Sequence, residues 1–182
     1  MRIERVVINA SPLITLFRAG LHPLLPQLFP ELVVPTAVWN EVVSITHDDL
    51  AARGLPQVNW AQQRETQESP DVAAWGLGAG ETAVLSFAQH RRDFTACVDD
   101  REARRCAAVL GLSMIGTAGV VVLARRRGLI ASTEAALRRL QAVGLWISEP
   151  LIAKLAQADT RGDGVPADKQ GRGADPAPTL KP

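Results

Sequence analysis

The stretch FTACVDDREARRCAAVLGLSMIGTAGVVVLARRRG, residues 94–128, contains the pattern that decides the fold class. Residues 94–98 and 113–115 are short apolar runs typical of buried strands, and residues 101–110 and 118–127 have the apolar period of helices. Gly111 and Gly128 are suitable residues to end those two helices. Because strands that alternate with helices form parallel sheets, the stretch predicts an α/β fold with helices on both faces.

The alternation continues on both sides of this stretch. Before it, strands are predicted at 5–9 and 31–34 and helices at 11–18, 23–29, after Thr36, and at 81–91, while residues 46–75 are expected to hold a short helix and an edge strand. After it come a helix at 133–143, a short strand at 145–147 and a helix at 150–158. Residues 1–158 are therefore predicted to form one domain. Residues 159–182, rich in Gly, Pro, Asp and Ala, are predicted to be a disordered tail.

Composition narrows the class of protein further. A chain of 182 residues that is 47% hydrophobic is long enough for one well-buried core. Cys97 and Cys106 lack metal-ligand spacing and are predicted to be small buried thiols in a reducing compartment. No apolar stretch is long enough for a membrane span, so a cytoplasmic protein without membrane contact is expected.

Four carboxylates occupy positions that suggest a metal site. Glu41 and Glu81 fall on the apolar stripes of two helices, and Asp99 and Asp100 follow a strand. Ligands of open parallel sheets bind beyond the carboxyl ends of the strands, where Asn9 is also expected. A buried carboxylate needs a cation or hydrogen bonds, so a shared metal site is predicted. Structural explanations remain open, since either glutamate can lie at the edge of its stripe and reach solvent or an arginine. Glu81 also suits a first helical turn, and Asp100 suits an N-cap.

The charges are distributed unevenly along the chain. Residues 1–90 carry five arginines and nine acidic residues, whereas residues 91–139 carry ten arginines and five acidic residues. An acidic cluster beside an arginine-rich half suits a polyanionic substrate such as nucleic acid. Arg101, Arg104 and Arg105 are candidates to hold phosphates, although a solvated outer helix face explains them equally well.

Other kinds of chemistry find less support. The three histidines share no spacing, and no nucleophile motif of the GxSxG type is present. GLGAGE, residues 76–81, does not follow a strand and is interpreted as a flexible entry to a helix. A metal-dependent phosphatase using Asp99 and Asp100 ranks low, because Asn9 stands where such an enzyme would need an acidic pair.

Five segments in consistent order resemble the PIN-domain superfamily, in particular a prokaryotic PIN-like group related to VapC-type toxins. They are VVINASPLITL, VPTAVWNEVV, GAGETAVLSFA, VDDREARRCAAVLGL and MIGTAGVVVLARRRGLI. The resemblance implies a three-layer α/β/α sandwich with a central, mostly parallel sheet. It also implies a nuclease that uses Mg²⁺ or Mn²⁺ to cleave single-stranded RNA.

The resemblance assigns roles by position. Catalysis would fall to Glu41, Glu81, Asp99 and Asp100, and these with Asn9 would hold the metal, although only one of the two aspartates, Asp99 or Asp100, matches the last acid of the family. The candidate nucleic-acid contacts are Ser11, which matches the family by position, the three arginines Arg101, Arg104 and Arg105, and Thr117, which is equally suited to cap the helix that follows Gly116. Asn9 stands where PIN nucleases usually have an aspartate. An antitoxin protein and a second copy of the chain are candidate partners, and a catalytically weak or inactive module that binds nucleic acid is the alternative function.

Overall fold

A computed structural model describes residues 3–45 and 48–162 of the chain. Within them, five strands form one sheet in which every neighbouring pair is parallel, in the order β3-β2-β1-β4-β5. The strands are β1 (Arg5–Ile8), β2 (Glu31–Pro35), β3 (Ala61–Arg64), β4 (Thr95–Cys97) and β5 (Met114–Ile115). The predicted α/β class and the edge strand within residues 46–75 are thus confirmed.

Ten α-helices and a 3₁₀ turn at Leu55–Gln57 lie among the described residues. The helices are α1 (Ala10–Arg18), α2 (Leu24–Leu28), α3 (Thr36–Val43), α4 (Leu50–Gly54), α5 (Pro70–Ala73), α6 (Ala79–His90), α7 (Arg101–Val109), α8 (Thr117–Arg126), α9 (Thr133–Ala142) and α10 (Glu149–Gly162). The last helix thus extends past the predicted boundary at 158. The rest of the predicted tail, residues 163–182, lies outside the described residues.

The order of the strands places helices on both faces of the sheet. The chain moves from β1 outward to β2 and β3, and then returns across β1 to β4 through α5 and α6. Right-handed crossovers in opposite directions must lie on opposite faces. Val6, Val7 and Ile8 are accordingly fully buried, which explains why β1 is an uninterrupted apolar run. The fold is the three-layer α/β/α sandwich with a parallel central sheet that the sequence resemblance implied.

The predicted strand at 145–147 is wrong, because this segment is irregular. Its backbone is satisfied by the neighbouring helix instead of the sheet: Leu145 N–H donates to the Leu140 carbonyl at 3.0 Å, and the Gln141 side chain donates to the Ile147 carbonyl at 3.2 Å. Ile147 is buried against the helices. Apolar character therefore reflects packing here and not strand pairing.

The two cysteines are free and buried, as predicted. Burial, followed by the negative charge of Asp99, raises the pKa of the Cys97 thiol well above its ordinary value. A thiol held in its neutral form is a poor nucleophile and a poor metal ligand. Cys97 therefore belongs to the core below the candidate site.

Candidate metal and nucleic-acid site

The candidate site lies where the strand order reverses, between β1 and β4. Asn9 directly follows β1, and its backbone N–H donates to the Cys97 carbonyl at 3.0 Å, so the ends of the two strands are paired. Asp99 lies two residues beyond β4. In open parallel sheets this crevice is the usual place for a ligand.

Asn9 is the central residue of the site. It is only 2% exposed, and its Nδ2 donates to Glu81 Oε1 at 2.9 Å. Its other polar atom, Oδ1, is buried and has no hydrogen-bond partner in the structure. Since a buried polar atom without a partner costs about 1–3 kcal/mol, Oδ1 is a position that a cation or a donor would stabilise.

Gly80, in the first turn of α6, makes room for two oxygen-bearing side chains. A Cβ at this position would lie 2.8 Å from Asn9 Oδ1 and 2.9 Å from Glu41 Oε2. Glu81, the next residue, contributes the carboxylate that accepts from Asn9. The missing side chain thus allows the Asn9 amide and the Glu41 carboxylate to converge, and the hydrogen bond from Asn9 adds Glu81 to the group. The interpretation of GLGAGE as a flexible helix entry missed this, because the requirement comes from α3 and β1 and not from the local sequence.

Glu41 is not buried in the way its position on the helical stripe suggested. Val38 and Val42 on α3 are fully buried, but Glu41 is exposed at the edge of that stripe. Its carboxylate nevertheless loses part of its hydration beside Gly80, and this loss, followed by the negative charge of Glu81, raises its pKa. A carboxylate whose pKa is raised partly by a neighbouring carboxylate marks a locally anionic site.

Glu81 combines a place in this site with a structural role. It is the third residue of α6, and its Oε2 folds back over Gly78, the N-cap, where a Cβ would collide with it. An acidic side chain at this position is stabilised by the partial positive charge at the start of the helix. The helix-terminus explanation and the site explanation therefore both apply to Glu81.

Asp99 is held by the start of α8. Its Oδ1 accepts the backbone N–H of Thr117 at 2.8 Å, and its Oδ2 accepts the Thr117 hydroxyl. Thr117 itself is fully buried. The Thr117 hydroxyl donates to Asp99, so Thr117 makes an internal contact in the structure. The sequence had suggested a surface contact with nucleic acid for Thr117.

Asp100 acts as the N-cap of α7, the structural alternative that the sequence left open. Its Oδ1 accepts the backbone N–H of Ala103 at 2.8 Å. Within residues 3–45 and 48–162, no three His, Cys, Asp or Glu side chains assemble into a group that could hold a metal. The structure brings together Asn9, Glu41 and Glu81, and it does not gather Asp99 and Asp100 into one acidic group with the two glutamates.

The candidate phosphate contacts differ in their surroundings. Arg104 is half-buried and donates to the Val98 carbonyl at 3.1 Å, next to Gly116 and Asp99. Arg101 is exposed, and Arg105 is exposed with Glu102 at 3.7 Å. Ser11 is exposed in the first turn of α1. The structure therefore fixes Arg104 at the crevice and leaves Arg101 and Arg105 on the solvent face of α7.

Comparison with known proteins identifies the family. A family model described as PIN domain matches residues 5–160, so the chain belongs to the PIN-domain family. Its fold is of the nuclease type, and PIN domains generally depend on a divalent metal. No curated protein matches the chain. In the part of the chain that the structure describes, no helix is both long and apolar enough to cross a membrane.

Proposed function

We propose that this protein is a Mg²⁺- or Mn²⁺-dependent endoribonuclease of the PIN type that acts on single-stranded RNA. The observation that carries the proposal is the buried, unpartnered Oδ1 of Asn9, placed with Glu41 Oε2 around the space left by Gly80. Oxygen atoms from amides and carboxylates are the ligands that hard cations prefer. Mg²⁺ typically binds through one or two carboxylates and keeps several waters, which matches this small set.

Each residue of the site has a proposed task. Asn9, Glu41 and Glu81 would hold the metal, which supplies an activated water and neutralises charge that develops on the phosphate. Asp99, oriented by Thr117, would complete the acidic side of the crevice, and Asp100 would fix the start of α7 beside it. Arg104, with Ser11, Arg101 and Arg105 at the surface, would neutralise the phosphates on either side of the scissile bond.

Replacing Asn9 with Asp tests the proposal. The variant loses the hydrogen bond to Glu81 Oε1 and places a second carboxylate about 3 Å away, so the metal-free protein should become less stable. Mn²⁺ should bind about tenfold more tightly, because an anionic oxygen attracts a hard cation more strongly than an amide oxygen does. Calorimetric Mn²⁺ titration, thermal melts and cleavage of a labelled single-stranded RNA provide the measurements.

Asn40→Asp is the matched control, since it makes the same chemical change on the exposed face of α3. It should alter neither metal affinity nor cleavage. If Asn9→Asp also leaves Mn²⁺ affinity and metal-free stability unchanged, Asn9 does not belong to a metal site and the proposal is rejected.

A second candidate function is an RNA-binding or regulatory module with weak or no cleavage. The neutral amide at Asn9 favours this alternative, because the site has only the carboxylates of Glu41 and Glu81 beside it. Within the described residues, no group of three or more acidic or metal-ligating side chains is formed. This alternative predicts that Asn9→Asp gains metal affinity without gaining cleavage. RNA binding measured in EDTA would remain in both cases.

The biological setting that we propose is the toxin of a toxin–antitoxin pair, as the sequence resemblance suggests. Growth arrest on expression, relieved by co-expressing the product of a small adjacent reading frame, tests this. Sedimentation of the protein alone tests for the homodimer. If no product of an adjacent reading frame relieves the growth arrest, the toxin setting is rejected and the nuclease proposal is unaffected.

A further inference from the structure

A cavity of about 530 Å³ opens at Asp99, beside the edge strand β5. One wall is formed by β5 and the start of α8, and the other by the irregular segment after α9 together with α10. Asp99 and Arg104 lie at its polar end, and Met114, Trp146, Leu151 and Leu155 line its apolar part. The cavity therefore shares Asp99 with the crevice at the end of β4 and runs along the edge strand β5.

Trp146 is the most conspicuous side chain of this cavity. It is 90% exposed, whereas its neighbour Ile147 is 6% exposed and anchors the segment in the core. The carbonyl of Ile147 is held by the Gln141 side chain, and Leu145 N–H by the Leu140 carbonyl. An indole ring held in water on a fixed segment at the wall of a cavity is available for stacking against a flat ligand.

The polar end of the cavity carries a positioned cation. Arg104 donates through Nη1 to the Val98 carbonyl at 3.1 Å, and the same atom would lie 3.1 Å from a Cβ at Gly116. The absence of a side chain at Gly116 thus leaves space for the guanidinium group next to Asp99. A cavity with an aromatic ring, aliphatic side chains and one guanidinium matches a ligand with a flat apolar part joined to an anion.

We propose that this cavity binds one unpaired nucleotide of a single-stranded RNA, with the base stacked on Trp146 and its phosphate at Arg104. The inference rests on the proposed function, since it places the strand that the acidic site would cleave. Unpaired bases stack on aromatic side chains and their phosphates pair with arginines, whereas the faces of paired bases are covered. A purely apolar peptide would bring no anionic group to the guanidinium of Arg104, so the nucleotide is favoured. The subsite makes the protein selective for single strands.

Binding in EDTA tests the subsite without any catalysis. A labelled single-stranded oligoribonucleotide is titrated with the full chain and followed by fluorescence anisotropy. Trp146→Ala should weaken affinity about tenfold, the size expected for one lost stack, and Trp146→Phe should retain most of the affinity. Val109→Ala is the matched control, because Val109 is 68% exposed on α7 and does not line the cavity. It should bind as the wild type does.

A second readout places the base on the ring itself. The difference between the emission of the wild type and of Trp146→Phe isolates Trp146 from the other tryptophans. Acrylamide should quench this Trp146 fluorescence in the free protein. Single-stranded RNA should protect it from quenching, whereas a duplex of the same sequence should not. Protection in the free protein, or a dimer that Trp146→Ala dissociates, would mean that protein fills the cavity and would overturn the proposal.

Failure of this inference and failure of the proposed function give different results. Cleavage that depends on Asn9 and metal, combined with RNA binding that ignores Trp146→Ala, removes the subsite and keeps the nuclease. Binding that depends on Trp146, without metal-dependent cleavage in either the wild type or Asn9→Asp, keeps the subsite and removes the nuclease.

Discussion

At the scale of single residues, the chemistry of the site depends on which polar atoms are left without partners. Asn9 uses its donor on Glu81 and leaves its acceptor free, while Glu41 brings a carboxylate to the same space. The cost of this arrangement falls on the metal-free fold, because two carboxylates and a buried carbonyl oxygen face one another. Sites arranged for a ligand are often unfavourable in its absence.

Replacing Glu41 with Gln should therefore stabilise the metal-free protein at neutral pH by about 0.5 kcal/mol, the scale of exposed charge interactions. Because folding raises the pKa of Glu41 above its ordinary value of 4.5, its ionised form is penalised in the native state. The penalty is absent below about pH 4.5, appears as the pH rises from that value through the higher folded pKa, and is complete above it. Denaturant melts of both proteins at pH 4 and pH 7 measure the difference.

With Mn²⁺ present the wild type should be more stable than Glu41→Gln, since the bound metal stabilises the native state and the variant has lost one of the carboxylates that would hold it. A variant that is less stable than the wild type at neutral pH without metal would show that Glu41 is stabilised by contacts within the protein. That result would contradict the like-charge interpretation.

At the scale of secondary-structure elements, the two adjacent aspartates are used by two different helix starts. Asp100 caps α7, and Asp99 reaches across to receive the first N–H and the hydroxyl of α8 at Thr117. The side chain of Asp99 thus ties the end of β4 to the helix that follows β5. This tie fixes the position of Asp99 in the crevice.

Replacing Thr117 with Val keeps its shape and removes the hydroxyl, so the free energy of unfolding should fall by about 2 kcal/mol, as for hydrogen bonds to charged groups. Thr117→Ser keeps the donor and should lose less. Thr82→Val is the control, because the Thr82 hydroxyl makes only a long contact of 3.5 Å with the Leu77 carbonyl. Chemical denaturation compares the three, and equal losses for Thr117→Val and Thr82→Val would show that the contact with Asp99 contributes little.

At the scale of the whole molecule, the arginine-rich half is not simply a surface for nucleic acid. Arg127 at the end of α8 donates to the carbonyls of Leu28 and, at 2.7 Å, Ile3, while Arg139 on α9 donates to the carbonyl of Ala19. These contacts join the second half of the chain to the chain segments around β1, α1 and α2. Part of the positive charge thus holds the domain together.

Arg127→Met should accordingly lower the free energy of unfolding by about 2–3 kcal/mol, since two carbonyls lose a charged donor. Arg126→Met, one position earlier on the exposed side of α8, should change it by less than about 0.5 kcal/mol. Both variants remove one positive charge. Comparing their RNA affinities at low salt therefore shows whether each arginine contributes to RNA binding, independently of its contribution to stability. Similar stabilities for the two variants would contradict the structural role of Arg127.

The sequence by itself determined the α/β class, the parallel sheet, most helices, and the strand ends at which Asn9 and Asp99 lie, because local period and glycine stops depend on near neighbours in the chain. It also offered an N-cap as one of two explanations of Asp100, because capping is a local interaction. Only the tertiary structure decided that Gly80 opens a space for Asn9 and Glu41, that Thr117 is spent on Asp99, and that residues 145–147 carry an exposed Trp146 and form no strand. These features arise where separate elements meet, and no periodicity along the chain records which side chains will share that space.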